Sequence, residues 1–496
     1  MTEPILAERR PLSIPYYWGL AVVLLLTALP LFAHLDDWPI RWWDESRLAT
    51  NALEMAQNNN WLVTYYWGAP DLWNTKPPLM IWLMTLSMKV FGYNELAVRL
   101  PAALASLGTC LLLYWFAARK LQKPLLGILA VLVLITAPGF LEEHIARTGD
   151  YEAPLICLTT AYSLLFFWYL EEKKNSTLLW FFVALTAAVL TKGVAGLLFC
   201  PALFLYALLR KEIFPLLKNK YFYLGLLLFV VLVPGYYLLR EQYNPGYWQA
   251  VKENELGGRY LEVLEQHHEP AAYYWNILVE RYFKNWFLLL PFGTIAGLAL
   301  LDMRARRFTA YLLLLAVSFL IIISTGGTKL HWYAAPLLPL LALLAALFLY
   351  YFTQYLFVLR SNFLLKGKGL SLFFLLLLMA VPYWWALDTA LNPPHAAYAG
   401  QNEELATFLQ DIKKGKLQHD HFKVLDHPDQ NIAWYVTVLL LQGKDITFTL
   451  PEALKIGDRI AVRNGERNEY LWKHFEEKLL FEKYGVKLYE LIGPEP

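Results

Sequence analysis

The sequence predicts an α-helical polytopic membrane protein with a small external α/β domain at its C-terminal end. Three observations carry this. Of 496 residues, 57% are hydrophobic and only 17% are charged, whereas an average soluble domain carries about 25% charged residues. Leucine-rich runs such as GLLLFVVLVPGYYLL and ALLAALFLY recur through most of the chain, and about 20 apolar residues suffice to cross a bilayer as helix. After about residue 390 the composition turns polar and short strand-like and helix-like patterns replace the long apolar runs.

Eleven apolar segments qualify as spans, near 16–35, 99–118, 124–141, 151–170, 177–191, 194–209, 221–239, 286–301, 308–324, 332–357 and 369–387. The first is long enough to remain as a span, and no small-residue cleavage site follows it. Segment 78–94 is apolar but short and is interrupted by Lys89. Parity decides its reading, because Lys and Arg concentrate in cytoplasmic loops. With 78–94 lying in the interface, Arg9, Arg10, Arg119, Lys120, Lys123, Lys173, Lys174, Arg210, Lys211, Arg304, Arg306, Arg307 and Arg360 all fall on one side. The expected topology therefore has the N-terminus inside and the C-terminus outside. That places RWWDESR, NTKPP, EEHIARTGDYE, TKG, the 240–285 loop and STGGTKLHWY together on the external face.

The linker NPPHAAYAGQNEE is polar and turn-rich, giving an expected boundary between residues 1–390 and 391–496. Beyond it FKVLDH, DITFTL, DRIAVRN and VKLYELI read as strands. NEELATFLQDIKKG and NEYLWKHFEEKLLFEKYG read as amphipathic helices. This region carries no catalytic signature; acceptor docking or stabilisation is its expected role. The net charge of +2 gives no case for a nucleic-acid partner. The three cysteines, Cys110, Cys157 and Cys200, lie in apolar runs, where buried, inert thiols are expected.

Each polar cluster has a plain reading and a chemical one. Asp44 and Glu45, with Arg47, follow the first span; they fit a solvated helix start or a pair of catalytic acids. Lys76 precedes an interfacial helix and suits a headgroup contact or a phosphate. Arg147 and Asp150 follow the third span, at a depth where ionisable groups are either solvated or functional. Lys192 either snorkels or faces a cavity. His267, His268 and Glu269 form a polar loop or contribute to a metal site. Lys329, His331 and Tyr333 begin the tenth span as interface anchors or site residues. Carboxylates and cations facing one cavity suit transfer of a group from a lipid-borne phosphate. Cations stabilise the departing phosphate, and a carboxylate orients or deprotonates the nucleophile. A transporter or flippase of a lipid-linked substrate is the competing class, but transporter sites usually lie at the midplane in broken helices, and here the charges cluster at one surface.

WWDESR, KPPL, ARTGD, TKG, HxxP followed by YY, and TKLHWYAAP, in this order over residues 1–390, resemble the GT-C membrane glycosyltransferases of the protein O-mannosyltransferase superfamily. The similarity is greatest to the bacterial transferases that add aminoarabinose to lipid A. The resemblance implies an inverting enzyme of the bacterial inner membrane. Its donor would be a polyprenyl-phosphate-linked sugar, and its acceptor lipid A, a protein or another envelope molecule. It implies that Asp44 is the essential first-loop acid and Asp150 the second acid. Lys76 would contact the carrier phosphate, with Arg47 and Tyr333 assisting; beside that resemblance, Lys192 and Lys329 are expected to complete the clamp on the donor phosphate. It also implies a divalent metal near His267. The glutamate that precedes the lysine in the aminoarabinose branch is Thr75 here, so that branch's zinc site does not transfer intact, and Glu269 is the candidate substitute. Eleven expected spans also differ from the thirteen of that branch.

Overall fold

The computed structural model describes residues 14–142, 144–258, 269–299, 302–358, 367–392, 403–425, 430–463, 471 and 473–494. Each predicted apolar segment contains a helix among the described residues. The helices are α1 (Tyr16–Phe32), α2 (Asp44–Asn58), α3 (Leu79–Phe91), α4 (Glu95–Trp115), α5 (Pro124–Ile135), α6 (Glu152–Glu172), α7 (Asn175–Lys192), α8 (Cys200–Leu209) and α9 (Lys220–Tyr243), then α10 (Leu289–Ala299), α11 (Met303–Thr325), α12 (Leu338–Val358) and α13 (Gly367–Leu391). Among the described residues, seven helices are long and apolar enough to cross a membrane: Glu95–Lys120, Glu152–Glu172, Asn175–Leu197, Lys220–Tyr243, Met303–Thr325, His331–Leu356 and Leu372–Leu391. The other four expected spans are the shorter apolar helices α1, α5, α8 and α10. Segment 78–94 forms α3, whose 13 residues rise about 20 Å, less than the ~30 Å hydrocarbon core.

Local sequence explains where the helices begin. The Asn94 side chain accepts the Ala97 amide at 2.9 Å, and Asp302 accepts the Arg304 amide at 2.9 Å, as N-caps do. Pro124 opens α5, where its missing N–H costs nothing. Gly293 and Gly297 let α10 lie directly on its neighbours. A Cβ at Gly293 would stand 1.9 Å from the Leu344 carbonyl, and one at Gly297 would stand 2.2 Å from Thr309 Oγ1. Small residues four apart bring membrane helices into such contact. On α9, Leu224, Leu227, Val231 and Leu238 remain exposed, an apolar outer face suited to lipid.

The segment between α1 and α4 is tied to α4 by an arginine. Arg99 of α4 is 3% exposed, yet it carries a full charge. Its Nε and Nη2 each donate to the Glu45 carboxylate at 2.8 Å. Its remaining donors reach the carbonyls of Leu35 at 2.8 Å, Trp38 at 3.0 Å and Pro39 at 2.8 Å. Glu45 also accepts the amides of Arg41 and Gly149, each at 2.8 Å. Burial alone would raise the Glu45 carboxyl; the Arg99 charge and hydrogen bonds, with the two amides, hold it below the ordinary range.

The C-terminal region contains α14 (Glu403–Lys413), α15 (Gln430–Leu441) and five strands. These are β1 (His421–Leu425), β2 (Asp445–Thr449), β3 (Arg459–Arg463), β4 (Phe475–Lys483) and β5 (Val486–Pro494). Their spatial order is β2-β1-β3-β5-β4. β1 runs parallel to β2 and β3, while β5 pairs antiparallel with β3 and β4. One expectation is corrected: Phe475–Lys483, read as the body of an amphipathic helix, is a strand. Tyr484 and Gly485 both take positive φ, 55° and 74°, the two-residue turn that matches hairpin twist. Glu476, Lys478 and Glu482, which imitate a helical polar face, are exposed on this edge strand. Helix α15 was not anticipated. One apolar core joins this region to the segment between α1 and α4: Ile40, Leu48 and Leu53 pack in the same cluster as Leu405, Phe408 and Trp434.

Removing one partner of a buried ion pair strands the other charge. Arg99→Met is expected to destabilise the detergent-solubilised protein by about 3–5 kcal/mol, read as a large drop in thermal midpoint. A change of under about 1 kcal/mol would show that this pair does not hold the loop.

Candidate active site

Two acid-bearing segments meet where helices begin. Asp44 is the first residue of α2, and the preceding Trp43 sits at φ 79°. Asp150 lies two residues before α6, and His144, on the same segment, takes φ 64°. Positive φ in bulky residues costs on the order of 1–3 kcal/mol and persists where surrounding structure fixes it. Here Glu45 fixes both segments, through the Arg41 amide on one and the Gly149 amide on the other.

Between the acids stands His144. Its Nδ1 is 2.6 Å from Asp150 Oδ2 and 3.7 Å from Asp44 Oδ2. Its ring stacks on Trp332 with centroids 3.9 Å apart. Asp150 also accepts the Tyr151 amide at 2.6 Å. Burial raises Asp44, and the Asp150 charge raises it further, against the pull of His144, Lys76 and Lys192. Burial would raise Asp150 too, but the His144 hydrogen bond and charge, with Lys192, leave it below the ordinary range. His144 goes up: burial opposes its charge, and the Asp150 hydrogen bond overcomes that. The two acids are thus driven apart, which is how paired carboxylates acquire different roles.

A cavity of about 130 Å³ lies against these groups, lined by Asp44, Asp150, Lys76, Lys192, Trp43, Trp73, Trp332 and Tyr333 among others. An apolar cavity of about 140 Å³ adjoins it and shares Lys76, Lys192, Trp332 and Tyr333. Phe319, Ile322 and Ile323 of α11 and Leu198 form part of its wall. The lysines stand at the junction of a polar chamber and an apolar one. Lys76 Nζ is 3.6 Å from Glu255 and 5.5 Å from the Tyr151 ring centre. Its segment is held by Tyr247, whose hydroxyl donates to the Thr75 carbonyl at 2.7 Å, and by Tyr151, whose hydroxyl donates to Asn74 at 2.9 Å. Lys192 ends α7, forms an ion pair with Glu152 and lies 5.2 Å from the Tyr333 ring centre.

The predicted residues Asp44, Asp150, Lys76, Lys192 and Tyr333 therefore come together. The others have different surroundings. Glu45 is taken up by Arg99 behind the cavity. Arg47 pairs with Asp71 at 2.7 Å and lies over the rings of Tyr66 and Trp73, supporting a wall. Arg147 donates to the carbonyls of Pro30, Ala33 and Ala390, tying α1 to α13. Lys329 donates to the Gly326 carbonyl at 2.8 Å. His331 Nδ1 is 2.6 Å from the Tyr282 hydroxyl. His267 and His268 lie outside the described residues, and Glu269 lies beside Tyr273. Among the described residues the one group with metal-ligating potential is Asp44, His144 and Asp150, whose donor atoms all fall within 4.8 Å of one another. Sequence reading missed His144, although it stands in the singled-out EEHIARTGD. It also missed Glu152, Glu255 and Trp332.

The His144–Asp150 pair sets a pH signature. The part owed to the depressed Asp150 is present above its unfolded value, about 3.9, and is lost as pH falls through the lower folded one. The part owed to the raised His144 is complete below about 6.5 and is lost as pH rises through the higher folded value. His144→Asn is thus expected to lower the thermal midpoint most near about pH 5–6, with the difference shrinking at alkaline pH. A pH-independent difference would refute the pairing.

A family model described as dolichyl-phosphate-mannose-protein mannosyltransferase matches residues 75–237. An uncharacterized protein of Aquifex aeolicus (strain VF5) is 29% identical over 365 residues, covering 71% of this chain and 66% of that protein. The undecaprenyl phosphate-alpha-4-amino-4-deoxy-L-arabinose arabinosyl transferase of Pseudomonas savastanoi pv. phaseolicola (strain 1448A / Race 6) is 28% identical over 334 residues, covering 66% of this chain and 60% of the relative. The chain thus spans a little under two thirds of the length of these relatives. Among solved structures, that of ArnT from Cupriavidus metallidurans bound to undecaprenyl phosphate aligns with TM-score 0.71 at 16% identity, covering 96% of this chain and 98% of that one.

Proposed function

This chain is a membrane protein with the GT-C fold, similar to undecaprenyl-phosphate aminoarabinose transferases, and from that premise we propose that it transfers a sugar from a polyprenyl-phosphate carrier to an envelope acceptor. One observation carries the reading. A polar chamber bearing Asp44 and Asp150 adjoins an apolar cavity, and Lys76 and Lys192 line both, as a phosphate between a sugar and a prenyl chain requires. The carrier chain occupies the apolar side, the lysines take the phosphate, and the sugar lies in the chamber against the indole rings. The external-face chemistry, with the N-terminus cytoplasmic and the C-terminal region outside the inner membrane, is part of this proposal.

Asp44, raised by burial and by Asp150, is suited to accept a proton. An acceptor hydroxyl gives its proton to the Asp44 carboxylate while its oxygen bonds to the sugar anomeric carbon from the face opposite the phosphate. The bond from that carbon to the phosphate oxygen breaks, and the polyprenyl phosphate leaves with the electron pair. Lys76 and Lys192 stabilise the charge gathering on it. The configuration inverts. An acceptor phosphate, already anionic, would need Asp44 only for orientation. Lipid A-like glycolipid is the favoured acceptor, after the relatives' aminoarabinose transfer, and a protein acceptor is the alternative.

A divalent cation fits the residues present. The donor atoms of Asp44, His144 and Asp150 all lie within 4.8 Å of one another, and a ligating His144 would exchange its hydrogen bond to Asp150 for the cation. Asp44, His144 and Asp150 would hold it, and a bound cation there would orient the acceptor.

Asp44→Asn is expected to reduce transfer from a polyprenyl-phosphate sugar by about 10² or more, with membrane expression and thermal midpoint preserved. A folded, fully active variant would remove Asp44 from the chemistry. Lys76→Met is expected to weaken undecaprenyl phosphate binding by about tenfold or more, measured by titration in detergent; unchanged affinity would place the phosphate elsewhere.

A further inference from the structure

Glu95 begins α4, one helical turn before Arg99, and is fully buried. Among the described residues, the side chains that hydrogen-bond or pair with its carboxylate come from the C-terminal region. Lys413 of α14 forms an ion pair with it. Gln410 Nε2 donates to its Oε1 at 3.0 Å, and the Tyr435 hydroxyl of α15 donates to the same oxygen at 2.8 Å. That hydroxyl also accepts the Ile40 amide at 2.9 Å. Two further hydrogen bonds reach the same stretch: Gln410 Nε2 also donates to the Asp36 carbonyl at 3.2 Å, and Lys414 Nζ donates to it at 2.5 Å.

The chain from Asp36 to Glu45 is therefore gripped twice from adjacent turns of α4. Arg99 takes Leu35, Trp38, Pro39 and Glu45 directly. Glu95 acts through Tyr435, which sits on Ile40, four residues before Asp44. Apolar contacts reinforce the second grip, since Ile40 and Leu48 share a core with Trp434, Phe408 and Leu405. Flexibly associated domains meet through modest, polar interfaces; this one is a buried charge network inside a continuous core. Without Lys413, Glu95 would be an unpaired buried charge, which is strongly destabilising.

We propose that the C-terminal α/β region is a fixed part of the catalytic apparatus, and that Tyr435 is a positioning residue that sets Asp44 through Ile40 and Glu95. This rests on the glycosyltransferase reading for its kinetic consequence, but its structural half is independent of that reading. The region is accordingly not a detachable docking module.

Tyr435→Phe in the full-length protein tests it, because the ring stays and only the hydroxyl is lost. Two measurements are made on the purified protein in detergent. Hydrogen exchange of the peptide containing Ile40 is expected to quicken by about tenfold, as an amide freed from its bond should. Transfer is expected to show kcat lowered about tenfold or more, with the donor KM within about twofold. Unchanged exchange at Ile40, or a Tyr435→Phe kcat within about twofold of wild type, would overturn the proposal. An inactive wild-type protein would count against the glycosyltransferase reading alone, and the exchange measurement would still decide the structural half.

Discussion

The architecture of the site depends on a single buried ion pair. Glu45 and Arg99 lie in a region where an uncompensated charge is costly, so each fixes the other, and their spare hydrogen-bonding capacity fixes everything nearby. Arg99 uses its fork to hold three carbonyls of the descending chain. Glu45 uses its spare lone pairs to hold the amides of Arg41 and Gly149. One carboxylate thereby sets the distance between the segment carrying Asp44 and the segment carrying His144 and Asp150. The positive φ values of Trp43 and His144 are sustained by this constraint, which delivers two acids and an imidazole to one place.

From that fixed frame the electrostatics follow. Asp150 is buried but receives a hydrogen bond from His144 and the field of Lys192, so it stays ionised. Asp44 lacks an equally close partner and feels the Asp150 charge, so it is the more basic of the two. The lysines are themselves matched by glutamates, Lys76 by Glu255 and Lys192 by Glu152. In the proposed reaction a phosphate between the lysines would meet cations already held in place, and preorganisation of this kind is what makes charge stabilisation effective. The apolar cavity alongside supplies the low-dielectric wall.

The same economy governs the attachment of the C-terminal region. Glu95 and Arg99 stand one turn apart on α4, so one helix face carries both the clamp on the first loop and the clamp on the sheet region. Apolar residues of the first loop share one core with the C-terminal region.

By itself the sequence determined the membrane class, the helical positions of the apolar segments, most strands of the C-terminal sheet and five of the residues that meet in the chamber. Those features are local: hydropathy, period and turn residues act over a few neighbours, and the order of WWDESR, KPPL, TKG and TKLHWY carries the family resemblance. Only tertiary structure separated Asp44 from Glu45. The two are adjacent and chemically alike, yet Arg99, 54 positions on, draws one out of the chamber. It also brought His144 between the acids, drew Glu255 to Lys76 across 179 positions, and turned the charged stretch Phe475–Lys483 into an edge strand by pairing it with Val486–Pro494. Charge pairing and strand pairing depend on partners remote in the chain, and a residue's own neighbours do not name them.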